Sequence, residues 1–188
     1  LPEHTHIPTS RRTPAPMGEP LDEEYRRCLD PFVTMGMMTA VTERVRLGTG
    51  ISLLAERDPI VTAKEVATLD HVSAGRISLG IGYGWNIEEL ENHGGSKKTR
   101  RAVVRERILA MQELWGEEAA AFHGEHVQMA ESWAWPKPTQ QVQGRTGVPV
   151  LVGGAPGPIL FEHIAEFADG WIPIGGAGVA AAMADLHE

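Results

Sequence analysis

The chain has 188 residues, 42% hydrophobic and 22% charged, which is ordinary for a globular protein and long enough for one sizeable core. A formal net charge of −8 argues against a nucleic-acid partner, and no apolar stretch reaches the ~20 residues of a membrane span, so neither partner is expected. Cys28 stands alone, which excludes an intrachain disulfide and fits a reducing cytoplasm.

Leu1-Pro2-Glu3-His4 reads as the end of a strand. On an extended segment His4 and His6 point to one side, Glu3 and Thr5 to the other. Residues 8–21 hold Pro8, Pro14, Pro16, Gly18 and Pro20 and are predicted as a long loop, a length that usually accompanies function. From Asp22 to Val41 the pattern is helical and Pro31 divides it. Val33, Met37, Ala40 and Val41 form the predicted apolar stripe, with Phe32 and Met35 beside it and the methionines as core filler. Residues 45–54 are predicted as a strand. A helix then starts at Asp58-Pro59, buries Val61, Ala63, Val66, Ala67 and Leu69, and closes at Ser73-Ala74-Gly75 with Gly75 as a left-handed cap.

Asp30-Pro31 and Asp58-Pro59 thus open two copies of one unit: Asp caps, Pro takes the first helical position, and a strand ending in glycines follows. The second copy ends in a strand over residues 76–82, then Tyr83-Gly84-Trp85-Asn86. Val104, Ile108, Met111 and Leu114 mark a helix from about Thr99 to Trp115. Lys97, Lys98, Arg100, Arg101, Arg105 and Arg107 on or before it read as a solvated face. Residues 116–147 break the rhythm and are predicted as an insertion. Residues 148–153 form a strand ending in Gly153-Gly154, and Pro158 to Ala168 a helix. Residues 171–174 form a short strand ended by Gly175-Gly176, and Val179–Leu186 an Ala-rich helix.

Near-continuous apolar strands alternating with helices imply a parallel sheet covered on both faces. An open doubly wound sheet and a closed (β/α)8 TIM barrel both fit. The spacing in Gly80-Ile81-Gly82-Tyr83-Gly84 is wrong for a dinucleotide fingerprint, and glycines at four strand ends favour the barrel. A full barrel takes ~250 residues, so this one is expected to be incomplete, as a single domain over residues 1–188.

His4 admits three readings: a metal ligand, a proton carrier beside an organic cofactor, or a structural histidine. The other strand ends offer glycine, Thr49, Ser52 and Tyr83, a poor donor set, so no metal is expected. His71, His123, His126, His163 and His187 read as structural, satisfied by backbone. Gly153-Gly154-Ala155-Pro156-Gly157 before a helix is either a phosphate cradle of free amides or a plain turn.

The ordered series Leu47-Gly48-Thr49-Gly50-Ile51, Arg57-Asp58-Pro59, Ala67-Thr68-Leu69-Asp70, Ser73-Ala74-Gly75-Arg76 and Leu79-Gly80-Ile81-Gly82-Tyr83-Gly84-Trp85 resembles the bacterial-luciferase-like flavin and deazaflavin oxidoreductases. Glu3-His4 and Asp169-Gly170-Trp171 extend the likeness toward the branch that uses the 5-deazaflavin coenzyme F420. The resemblance implies a luciferase-type TIM barrel lacking strands before Leu1 and after Glu188. It implies hydride transfer between F420 and a small organic substrate, with an FMN monooxygenase or a non-catalytic cofactor binder as alternatives. A cis peptide at Gly50-Ile51 would back the ring. Tyr83, Gly84, Trp85 and Asn86 would line the cofactor tail, and Gly153, Gly154 and Ala155 would bind its phosphate. Glu3 would help fix the ring and His4 would move a proton. Trp85 stands where the sugar-phosphate dehydrogenase branch has an acid, which argues against a sugar phosphate. The family commonly dimerises, which implies a homodimer contact within residues 30–41 or 58–72.

Overall fold

The computed structural model describes residues 1–174 and 178–187; the predicted Gly175-Gly176 strand end and the side chain of His187 lie outside the described residues. In chain order the elements are α1 (Glu23–Arg26), α2 (Pro31–Val41), β1 (Leu47–Gly48), a 3-10 turn (Leu54–Glu56), α3 (Pro59–Val72), β2 (Ile77–Ile81), α4 (Ile87–Asn92), α5 (Arg100–Gly116), β3 (Ala119–His123), β4 (Gln128–Trp133), β5 (Gln141–Val142), β6 (Arg145–Thr146), β7 (Val150–Gly154), α6 (Pro158–Phe167), β8 (Gly170–Pro173) and α7 (Val179–His187). One four-stranded sheet runs β1-β2-β7-β8, and all three pairings are parallel. It is not closed on itself among the described residues. Leu1 extends it by a residue beside β1, donating its N-terminal amine to Gly48 O at 2.9 Å and accepting from Gly50 N at 2.7 Å.

The two Asp-Pro starts work as their chemistry requires. Asp30 Oδ1 accepts from Val33 N at 2.8 Å and Asp58 Oδ1 from Val61 N at 2.9 Å. Gly75 takes a φ of 81° after α3, as a left-handed cap should. The core lies between sheet and helices. Leu47, Ile77, Leu79, Ile81, Val150 and Val152 meet Val66, Val104, Ile108, Met111 and Leu114 from α3 and α5. Gly80 is dictated by sheet spacing, because a Cβ there would sit 2.1 Å from Thr49 O.

Several expectations need correction. The strand predicted over residues 45–54 pairs only at Leu47–Gly48. The Gly50–Ile51 peptide is cis, as the resemblance implied, and the chain meets β2 again through the Thr49 hydroxyl, which donates to Gly80 O at 2.6 Å, and through a bridge at Ser52. On α2, Pro31, Phe32 and Met35 are buried, while all four residues of the predicted stripe, Val33, Met37, Ala40 and Val41, are exposed; Val61 of α3 is exposed as well. Apolar residues surround α2, so periodicity alone does not say which side faces the core. The insertion is two antiparallel hairpins, β3-β4 and β5-β6, pinned to the barrel by Asp70, whose carboxylate accepts from Thr139 N at 2.7 Å and Gln140 Nε2 at 2.6 Å. No described helix is long and apolar enough to cross a membrane.

Candidate functional site

A cavity of about 430 Å³ opens at the C-terminal ends of the sheet strands, a size suited to a small-molecule ligand. Its floor is backbone. Gly50 and Ile51 lie there with Gly82 and Gly153, whose missing side chains make room for Ile51 itself. A Cβ on Gly82 would stand 2.5 Å from Ile51 Cδ1, and one on Gly153 would stand 2.6 Å from Ile51 Cγ2. Nothing lies within 4 Å of a Cβ on Gly50. The glycines therefore let the Ile51 side chain pack directly against the neighbouring strand ends, with open space beside Gly50.

Glu3 and His4, joined to the edge strand by Leu1, form one wall and turn opposite ways. The Glu3 carboxylate is buried and accepts from Ser52 Oγ and Leu53 N, both at 2.7 Å, and from Arg57 Nε at 2.6 Å. Glu3 thus pins the segment just after the cis peptide. His4 Nδ1 lies 2.6 Å from Glu89 Oε2, and its Nε2 accepts from Trp85 Nε1 at 3.2 Å. An indole nitrogen only donates, so His4 carries its proton on Nδ1 and gives that hydrogen bond to Glu89. Tyr25 packs edge-on against His4 and Trp85. The alternation expected for an extended start does not hold, since residues 1–8 form no strand and Thr5 N also donates to Glu89, at 2.9 Å.

Of the residues singled out by the sequence, Glu3, His4, Gly50, Ile51, Tyr83, Gly84, Trp85, Gly153 and Gly154 line this cavity. Ala155 is exposed outside the lining, and Asn86 is buried with both side-chain amide atoms unpartnered. Gly84 turns the chain at a φ of 73°, and its carbonyl accepts from Arg100 at 2.8 Å. Tyr83 OH meets His163 Nδ1 at 2.8 Å, so His163 is satisfied by a side chain of the cavity wall rather than by backbone. Burial pushes the Tyr83 phenol up and His163 down from their ordinary values.

Sequence reasoning missed Glu89, on a helix it did not predict. Asn86-x-x-Glu89 is the spacing of a capping box, and that signal could have located α4. Here the box is not closed: Asn86 makes no side-chain cap, and Glu89 reaches His4 instead. Arg57, Tyr25 and Arg100 were also missed, whereas the long loop of residues 8–21 reaches the cavity as its length suggested. Pro16 and Met17 bring the loop of residues 8–21 over the cavity, where Glu88 of α4 fastens it by accepting from Arg12 N at 2.9 Å. The basic run around α5 is not a solvated face throughout. Arg100 and Arg107 are partly buried and line cavities, Arg101 lies over the Tyr83 ring, and Arg105 pairs with Glu166.

Glu56 is the unusual acid of the region. Its side chain is 1% exposed and its Oε2 has no hydrogen-bond partner. Burial, with Glu89 and Glu3 nearby, pushes its carboxyl up to about 8. The unfolded chain releases that proton near the ordinary 4.5, while the folded chain keeps it to about 8. Stability therefore falls as pH rises through that window, by on the order of a few kcal/mol. Glu56→Gln is expected to match the parent near pH 4.5 and to exceed it at pH 8 in urea unfolding. An equal decline in both proteins would locate the pH dependence in other groups.

Comparison with known proteins adds the following. The family profile described as luciferase-like monooxygenase matches residues 2–188. An uncharacterised protein of Mycobacterium tuberculosis (strain ATCC 25618 / H37Rv) is 49% identical over 175 residues, covering 92% of this chain and 60% of that protein. An F420-dependent glucose-6-phosphate dehydrogenase of Intrasporangium calvum is 34% identical over 143 residues, covering 73% of this chain and 41% of the enzyme. Among solved structures, an F420-dependent secondary alcohol dehydrogenase superposes with a TM-score of 0.71 at 19% identity, over 86% of this chain and 50% of that one. The monooxygenase RslO1 from Streptomyces bottropensis superposes at 0.66 with 29% identity, over 72% and 40%. The chain thus spans 40–60% of the length of these relatives.

Proposed function

This chain belongs to the luciferase-like monooxygenase family, with the α/β barrel fold of that family, and we propose that it serves hydride transfer between the deazaflavin coenzyme F420 and a small organic substrate. The observation that carries this reading is the His4–Glu89 pair set at the rim of a backbone-floored cavity at the strand ends. Relatives named for F420 dependence, 31–34% identical over 73–79% of the chain, support the choice of cofactor.

The bound deazaflavin would supply a carbon that gives or accepts hydride. The chain's own residues do the rest. Gly50 and Ile51 support the ring from below, and Glu3, through Ser52 and Leu53, keeps that support in place. Tyr83, Gly84 and Trp85 run along the cofactor tail, and Asn86, buried outside the cavity lining, starts the helix that follows them. Gly153, Gly154 and Ala155 offer backbone amides to the phosphate before α6. His4 takes or returns a proton at Nε2 when the Trp85 indole lets go. Nδ1–H held by Glu89 keeps the ring in the tautomer whose Nε2 lone pair faces Trp85.

An FMN monooxygenase is the second reading; the 29% identity to the monooxygenase RslO1 favours the reaction class, and a structural neighbour solved in complex with FMN suggests the cofactor. Titration of the chain with F420 and with FMN, followed by fluorescence, separates them. F420 is expected to bind at least tenfold tighter. The reverse order supports the monooxygenase, and absence of binding to either supports a barrel without cofactor. Gly154→Leu tests the cradle, because a side chain there meets only the flexible end of Leu160, at 3.2 Å from Cβ. Cofactor affinity should fall about tenfold or more with little change in melting temperature; unchanged affinity would reduce the glycines to a plain turn.

Homodimerisation is part of this proposal, as is a cytoplasmic site of action. Val33, Met37 and Val41 lie one helical turn apart on α2 and are exposed, with Ile60, Val61 and Val72 exposed on the adjoining α3. A second copy is the expected cover. Light scattering should give twice the chain mass at micromolar concentration, and Met37→Glu should return it to the monomer. A monomeric parent protein would remove the claim.

A further inference from the structure

The hydrogen bonds that begin at His4 continue past Glu89, away from the main cavity. Glu89 is fully buried, and its second oxygen, Oε1, accepts from Thr5 N at 2.9 Å and from Thr5 Oγ1 at 3.4 Å. Thr5 Oγ1 in turn meets His93 Nε2 at 2.8 Å and His6 Nδ1 at 2.9 Å. Thr5 and His6 are exposed. The His93 side chain is 30% exposed and lines a second cavity of about 220 Å³ with Ser96, Arg100, Arg107 and His126. Thus His4, whose side chain is only 5% exposed, is joined through Glu89 and Thr5 to groups that reach solvent.

We propose that Glu89 and the Thr5 hydroxyl form a proton outlet from His4 to His93 and water. The outlet rests on the reading of His4 as the proton carrier. It answers a need created by that reading, since cofactor and substrate in the main cavity would cut His4 off from water on that face.

The transfers balance. A proton arrives at His4 Nε2. The Nδ1–H bond breaks as an O–H bond forms on Glu89 Oε2. The carboxyl turns over and gives its proton to Thr5 Oγ1, while the original Thr5 hydroxyl proton passes to His93 Nε2. That histidine releases the proton on its other nitrogen to water. One proton has moved from His4 to solvent and every group regains its starting charge; His4 and His93 are left as their other tautomers, which rotation of each ring or the return transfer resets. The return direction uses the same bonds.

Other titratable groups at this wall fit the assignment. Glu56 Oε2 lies 3.7 Å from His93 Nε2, too far for a hydrogen bond. With its carboxyl raised to about 8, Glu56 is neutral at pH 7 and does not lock His93 into a fixed ion pair. His6 Nε2 accepts from Asn92 Nδ2 at 2.9 Å, so its Nδ1 carries the hydrogen and donates to Thr5 Oγ1, which leaves the Thr5 hydroxyl proton for His93.

Thr5→Val is the decisive variant. It keeps the shape and the backbone N–H to Glu89 but removes the hydroxyl. The readout is the exchange rate of the His4 Nδ1 proton with water, followed by NMR on the 15N-histidine-labelled chain without cofactor. Exchange is expected to slow about tenfold or more in Thr5→Val and to stay within twofold of the parent in Thr5→Ser. The variant His93→Gln should also slow it. Exchange in Thr5→Val within twofold of the parent would overturn the outlet. That result would leave the catalytic reading of His4 standing. Full turnover in a His4 variant would end the catalytic reading and leave the exchange result intact.

Discussion

Replacing Arg57 by Met is expected to cost about 3–5 kcal/mol of folding stability, the range for stripping a buried ion pair of one partner. The Glu3 side chain is 1% exposed and Arg57 15%, and Arg57 NH2 stands 2.5 Å from Glu3 Oε1. The same guanidinium reaches Asp30 at 2.6 Å and lies over the Phe32 ring at 4.5 Å. Met preserves the packing of the stem and leaves Glu3 with only Ser52 Oγ and Leu53 N. An uncompensated carboxylate there would pull water into the segment behind the cis peptide or protonate. Neutralising both ends should recover part of the loss, so Glu3→Gln with Arg57→Met is expected to be more stable than the sum of the single variants. Urea unfolding of the four proteins measures this. A loss below 1 kcal/mol in Arg57→Met would mean that Glu3 is held by its neutral donors alone.

That pair also shows where reading the sequence stops. Local signals were legible when the chemistry is local. Asp30 and Asp58 cap the helices their Asp-Pro pairs announce, Gly75 caps α3, and the apolar runs of β2 and β7 pair parallel as expected. Gly50-Ile51 and the glycines of three strand ends were found because each lies in a recognisable run. What was missed depends on partners distant in sequence. Nothing around Glu3 says that its oxygen meets an arginine 54 positions later. Glu89 hides in a six-residue helix too short for a periodic signal. Val33 and Met37 look like core by spacing, yet an apolar circumference leaves the buried side to be chosen by tertiary packing. The motif acids Asp70 and Asp169 turn out to be pegs: Asp70 fastens the insertion, and Asp169 Oδ2 accepts from Val150 N at 2.8 Å and Arg145 at 2.7 Å.

His4→Ala should lower turnover by roughly 10²–10⁴-fold, the usual contribution of a positioned acid or base. Two effects must be kept apart, because the substitution also leaves the buried Glu89 without its partner at 2.6 Å. An unsatisfied buried group costs about 1–3 kcal/mol, so His4→Ala is expected to be less stable than the parent for a reason unrelated to catalysis. Adding Glu89→Gln removes the buried negative charge and should restore stability without restoring turnover. The affinity for cofactor should stay within about threefold of the parent in both variants. In the proposed arrangement the ring rests on Gly50 and Ile51, and the phosphate lies at Gly153 and Gly154. A substrate must be found first, by screening alcohols and other small donors against F420, and single-turnover rates then report the hydride step. If His4→Ala loses affinity and turnover together, His4 is a wall of the binding site. If the stabilised double variant turns over at the parent rate, the proton comes from water and the His4–Glu89 pair serves the fold.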